Sequence, residues 1–106
     1  MITFIANLTV RQENTSAFEK LMTYVADMTN KNEPGVAYYN FAKSVDDPDT
    51  YVVVEVYRDR DACLAHGTTE WVTASIPKYL ELIDGLPQIV QYVSPGTEPV
   101  AAVDPA

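Results

Sequence analysis

The chain has 106 residues, 47% of them hydrophobic, which suits one folded domain and excludes a disordered one. Fifteen acidic against seven basic residues leave a formal net charge of −8, which argues against nucleic acid and anionic membrane surfaces as main partners. No apolar run approaches the roughly 18 residues that span a bilayer, the N-terminus lacks the features of a signal peptide, and the single Cys63 cannot form an internal disulfide, so the expected location is the cytoplasm.

Residues 2–10 alternate, with Ile2, Phe4, Ala6, Leu8 and Val10 on one face, and predict a strand. Ser16 and Glu19 match a capping box. Phe18, Leu21, Met22, Val25 and Met28 continue at helical spacing to about residue 30 or 31. Glu33-Pro34-Gly35 ends the helix, and Pro34-Gly35 suits the centre of a type II turn. Residues 36–44 predict a second strand with aromatic side chains on both faces, Tyr39 and Phe41 on one and Tyr38 on the other. Asp46-Asp47-Pro48-Asp49 reads as a hairpin turn, because it lacks the glycine and distal glutamate of a calcium loop.

Residues 51–57, YVVVEVY, predict a third strand, central in its sheet. Glu55 is its one charged residue and requires a partner if buried. An ion pair between strands or subunits is the preferred reading, with a general base as the alternative. Asp59 is placed to cap a short helix that runs through His66, the only histidine. Gly67 ends it, and Thr68 or Thr69 caps a second helix with Val72, Ile76, Tyr79, Leu80 and Ile83 along one stripe. Pro77 should kink or split that helix near Ser75, and Gly85 should close it. Residues 86–93 predict a fourth strand. The Pro-rich tail, 94–106, is expected to be a loose arm, or one that orders only against another subunit.

The order β-α-β-β-α-α-β predicts an α+β domain over residues 1–93, a ferredoxin-like split βαβ with helices on one face of an antiparallel sheet. The second and third strands carry apolar or aromatic residues on both faces, so the face without helices would be an exposed apolar patch. Packing two such faces together in a two-fold homodimer covers it, giving a dimeric α+β barrel.

In residues 33–66 the chain resembles the antibiotic biosynthesis monooxygenase family, in particular its quinol-monooxygenase-like members. The resemblance rests on Glu33-Pro34-Gly35 before an aromatic strand and on the Asp46-Asp47-Pro48 turn. It continues through Tyr51–Tyr57 and the spacing from Glu55 through Asp59, Asp61 and Ala62 to Ala65-His66. It extends in order over roughly residues 1–93. It implies a dimeric barrel, a pocket between helices and sheet, and oxygenation of a phenolic or quinol-type substrate without metal or flavin. It also places His66 at the pocket mouth, with Trp71 on the next helix.

Two departures narrow this. Glu70 and Trp71 stand where many relatives have a second His or Phe, and no second histidine exists for the haem ligation of haem-degrading relatives. His66-Gly67-Thr68-Thr69 also resembles a motif of relatives that isomerise a quorum-sensing sugar derivative.

On this reading His66 is the candidate base, histidine being the side chain that most readily exchanges a proton near neutral pH. Trp71, Tyr39, Phe41 and Tyr51 are candidate walls for an aromatic substrate. The competing reading makes His66 a helix-end residue that interacts with the helix dipole. Cys63 reads as a small packed hydrophobe rather than a nucleophile. A non-catalytic module that binds a small hydrophobic metabolite, and an isomerase, are the alternatives to an oxygenase. A dry aromatic pocket with one base would favour oxygenation, and several polar groups besides His66 would favour a sugar-like ligand.

Overall fold

The computed structural model describes residues 1–101. In chain order it contains β1 (Ile2–Val10), α1 (Thr15–Asn32), β2 (Val36–Lys43), β3 (Thr50–Tyr57), α2 (Arg60–His66), α3 (Glu70–Leu82) and β4 (Ile83–Val93). The four strands form one antiparallel sheet in the order β2-β3-β1-β4. This is the expected α+β, ferredoxin-like plan. The hairpin β2-β3 forms one side, and β1 is central because the connections through α1 and α2-α3 carry the chain across the sheet.

Alternation decides which residues form the core. Ile2, Phe4, Ala6, Leu8 and Val10 of β1, and Tyr51, Val53, Glu55 and Tyr57 of β3, are all buried against the helices. Phe18, Met22, Val25, Val72 and Tyr79 close this layer from above. On the opposite face, register aligns Ile5 with Val54 and Val90, and Thr3 with Val56 and Tyr92. There Val90 is 44% and Tyr92 57% exposed, and Tyr38, beside Val56, is 51% exposed. The face without helices is therefore open and largely apolar. Among the described residues no helix is long and apolar enough to cross a membrane.

Several local expectations are corrected. A short 3-10 turn over Gln12–Asn14 feeds directly into α1, so Asn14 rather than Ser16 precedes the helix, and no side chain caps it. Glu19 is free of the capping box and instead accepts from the Tyr51 hydroxyl. The turn at Glu33–Val36 is closed by Val36 N–H donating to Glu33 C=O, but the φ of Gly35 is not positive, so it is not type II. Glycine is required there for space: a Cβ on Gly35 would lie 2.6 Å from Ala62 Cβ on α2.

Pro77 does not split α3, which runs unbroken from Glu70 to Leu82. Nor does Gly85 close that helix, because the chain passes straight into β4 at Ile83. Gly85 has φ 79° and lies where the β1–β4 register shifts between Asn7 and Thr9, the left-handed glycine of a β-bulge.

The first part of the tail packs against its own chain. A turn at Ser94–Thr97, with Gly96 at φ 88°, sends it back along β4. The Gln91 amide then clamps Val100 through two 2.9 Å bonds, donating to its C=O and accepting from its N–H. Val100 is 5% exposed and joins the core. The rest of the expected arm, residues 102–106, lies outside the described residues.

Candidate functional site

Glu55 is the one acidic side chain that the inward phase of β3 turns into the core. Register places it between Tyr39 of β2 and Phe4 of β1, in a row that continues to Gln91. It is 3% exposed. The Tyr57 hydroxyl donates to Glu55 Oε1. His66 Nε2 lies 3.8 Å from the same oxygen, an ion-pair separation rather than a hydrogen bond.

His66 reaches this position because both ends of α2 are fixed. Asp59 caps the start, its side chain accepting from Ala62 N–H at 2.8 Å. The close approach of Gly35 to Ala62 presses α2 against the turn after α1. That turn carries Glu33, whose carboxylate lies 3.0 and 3.1 Å from His66 Nδ1. A carboxylate only accepts, so Nδ1 carries a hydrogen, and Nε2 is the nitrogen on the Glu55 side. Trp71 donates its Nε1–H to the same Glu33 oxygen, Oε2, at 2.9 Å. The rings of Tyr39 and Tyr57 lie 5.1 and 5.5 Å from the imidazole.

Burial raises the Glu55 carboxyl to about 7, and the Glu33 charge adds to this, while the Tyr57 hydrogen bond and His66 oppose it. Burial and then the Glu55 charge drive the Tyr39, Tyr57 and Tyr79 hydroxyls well above their ordinary range. They stay protonated and are not bases, and Tyr57 donates to Glu55. The Cys63 thiol is pushed up to about 11 by burial and then by Glu55, which leaves it unreactive near neutral pH.

Three buried polar atoms of this region have no hydrogen-bond partner among the described residues: Glu55 Oε2, Tyr39 Oη and Tyr79 Oη. Each such group costs about 1–3 kcal/mol when left unmatched. An acceptor on Glu55 and two hydroxyls that feel its charge, set among aromatic rings, form a polar centre suited to a small oxygen-bearing ligand. Among the described residues no group of three or more His, Cys, Asp or Glu is arranged to hold a metal ion.

The residues singled out from the sequence divide into two groups. His66 and Tyr39 meet at the polar centre. Trp71 touches it only through Glu33, and its indole lines a surface cleft of about 280 Å³ with Glu33, Pro34, Ala62, Ala65 and Thr69. Phe41 and Tyr51 lie elsewhere, around Phe18, with Tyr51 4.8 Å from the Phe18 ring and 6.4 Å from that of Phe41. Tyr51 is four residues from Glu55 along β3, roughly 13 Å. Phe18 is 6.4 Å from Tyr79, so the two groups share one aromatic layer.

Glu33, Tyr57 and Tyr79 were not among the residues singled out as candidates. For Glu55 and Tyr57 a signal existed: an acid and a phenol on the inward phase of an apolar strand. Nothing local points from residue 33 to residue 66.

The sequence profile described as antibiotic biosynthesis monooxygenase matches residues 1–77 of this chain. The chain belongs to the antibiotic biosynthesis monooxygenase family. Its fold is similar to that of a Caulobacter crescentus protein provisionally assigned as an antibiotic biosynthesis monooxygenase, at 30% identity and TM-score 0.81, over 86% of each chain. A Nitrosomonas europaea protein with the same provisional assignment shares the fold at 23% identity and TM-score 0.83, over 90% of this chain and 99% of that one. A protein from Mycobacterium tuberculosis shares it at 23% identity and TM-score 0.77, over 99% and 97%. Among curated proteins none matches the chain. In this antibiotic biosynthesis monooxygenase family member, the polar centre lies in the layer between helices and sheet.

Proposed function

We propose that the protein is a monooxygenase that needs no cofactor and acts on a small phenolic, quinol or polyketide-like aromatic substrate between helices and sheet. The observation that carries this is Glu55, a buried carboxylate raised to about 7, with one oxygen unpartnered and an aromatic surround. A base with a pKa near working pH is best matched to proton transfer. On this reading Glu55 Oε2 removes a substrate O–H or activated C–H proton, and the resulting anion gives an electron to O2. One oxygen atom enters the substrate and the other leaves as water with two substrate hydrogens, so O2 is the only oxidant needed. Tyr39 and Tyr79 donate to the substrate's second oxygen, and aromatic walls exclude water.

Oxygen uptake over a panel of hydroquinones and naphthols tests this. Uptake above background is expected, and a fall within the ~10²–10⁴ range of a lost acid–base group is expected for His66→Ala. No uptake with any member overturns the reading. Unchanged uptake in the variant removes His66 from it. One observation favours a second reading, an isomerase for a sugar-derived ligand: the polar centre holds Glu55, Tyr39 and Tyr79 besides His66. Turnover of such a ligand without O2 consumption would select it.

The same proposal makes the protein a cytoplasmic homodimer, joined through the open face that carries Tyr38, Val90 and Tyr92. Sedimentation at micromolar concentration should give a dimer, and Val54→Lys, on that face, a monomer. A monomeric parent protein would refute the shared-sheet arrangement.

A further inference from the structure

We propose that Glu33 is the positioning residue of a reversible proton store, in which His66 holds the proton taken by Glu55 and returns it to the reduced oxygen. This rests on the reading of Glu55 as the base. The two Glu55 oxygens have different surroundings, and the inference follows from that difference. Oε1 is occupied, with the Tyr57 hydroxyl donating to it and His66 Nε2 at 3.8 Å. Oε2 is buried and has no hydrogen-bond partner among the described residues, and in this proposal it is the oxygen that meets the substrate.

A proton collected at Oε2 reaches the histidine by rotation of the carboxyl about its last torsion, which has a broad, two-fold profile. The Glu55–His66 separation must then shorten by about 0.8 Å to the hydrogen-bond range. The Glu55 O–H bond breaks as the Nε2–H bond forms, giving an imidazolium beside the Glu33 carboxylate. The reverse transfer delivers the proton to the reduced oxygen and restores both groups.

Glu33 does two things here. It holds the hydrogen on Nδ1, without which Nε2 would have no lone pair for the proton. It also supplies the negative charge that faces the imidazolium. Its own position is fixed by Trp71 Nε1–H, which donates to Glu33 Oε2 at 2.9 Å. The ionisable groups around the ring are Glu33 from the turn after α1, Tyr39 from β2, Glu55 and Tyr57 from β3, and Cys63 on α2; Tyr79 on α3 faces Glu55. Among these groups none is a cation, and the nearest acid to an imidazolium is Glu33, 3.0 Å from Nδ1.

The chain has a single histidine, so ¹⁵N-histidine labelling reports on this ring alone. The neutral parent protein is expected to show the Nδ1–H tautomer. Glu33→Gln keeps the volume and one acceptor oxygen. It is expected to move the ring towards Nε2–H and to lower kcat by about 10²-fold, the lower end of an acid–base contribution, with little change in KM. Glu33→Asp should restore part of both, and it serves if the Gln variant does not fold. A parent ring in the Nε2–H form overturns the proposal, as does a Glu33→Gln variant with unchanged spectrum and kcat. The spectrum needs no substrate, so it judges the Glu33 role even where no oxygenation is found. Absent oxygen uptake beside an Nδ1–H ring overturns the proton store and leaves the positioning contact.

Discussion

Glu55→Gln is expected to lower turnover by about 10²–10⁴-fold and to make the protein more stable in alkaline solution. The two effects have one cause. Burial raises the carboxyl from 4.5 to about 7. The folded state therefore binds the Glu55 proton more tightly than the unfolded state does. The stability this contributes is complete below about pH 4.5, falls as the pH rises through 7, and is absent above it. At 1.36 kcal/mol per pKa unit, the native protein at pH 8 is less stable by on the order of 3 kcal/mol than it would be with Glu55 neutral.

Glutamine carries no charge at any of these pH values and occupies nearly the same space. Denaturant unfolding should show the variant ahead at pH 8 by a margin of that order, and the two proteins converging near pH 4.5. The parent's activity should rise with pH through about 7, as the base loses its proton, and the residual activity of the variant should lack that limb. A variant less stable than the parent at pH 8 would show that the Tyr57 and His66 contacts outweigh the burial cost, and that Glu55 is a structural anion.

Gly35→Ala should cost about 1–3 kcal/mol of stability, as overpacking does, and lower Tm by roughly 5–15 °C. The new Cβ would lie 2.6 Å from Ala62 Cβ. Carbon atoms prefer roughly 3.5–4.0 Å, so α2 has to retreat by about an ångström. Ala62 is one turn before His66, and its partner turn carries Glu33. The retreat therefore opens the 3.0 Å His66–Glu33 contact, and activity should fall further than stability predicts. Ala62→Gly beside Gly35→Ala removes the clash, and that pair should recover activity at the cost of a glycine inside α2, about 1 kcal/mol. A fully active and stable single variant would mean that α2 is not held by this contact.

How much of this was legible depends on the range of the interactions involved. Alternation in ITFIANLTV and YVVVEVY, helical spacing from Phe18 to Met28, and the cap residues Asp59 and Thr69 are decided within a few residues. They carry the element order and the sheet plan. Local signals misled where a stronger partner lay elsewhere in the chain. Glu19 fitted a capping box and is used by Tyr51, 32 residues away. Gly85 fitted a helix stop and serves a bulge against β1. Pro77 fitted a break, yet α3 runs through it. The proline-rich tail read as a loose arm, or one ordered only by another subunit, and the Gln91 amide of its own chain holds Val100.

His66 stood out in the sequence as the only histidine, and Glu55 as the one charge in an apolar strand. What each does was not readable there, because a protonation state depends on what surrounds a group and not on its neighbours in the chain. The sequence by itself determined the α+β order, the apolar face of β1, and the one acidic residue within β3. Only the tertiary structure decided that Glu33, His66 and Glu55 form one line, that Trp71 holds its outer end, and that Phe41 and Tyr51 belong to a different cluster. These pairings join residues 11 to 38 positions apart, brought together by the crossing of α1, α2 and β3, and a polar contact is made only after burial has removed the water that would otherwise take its place.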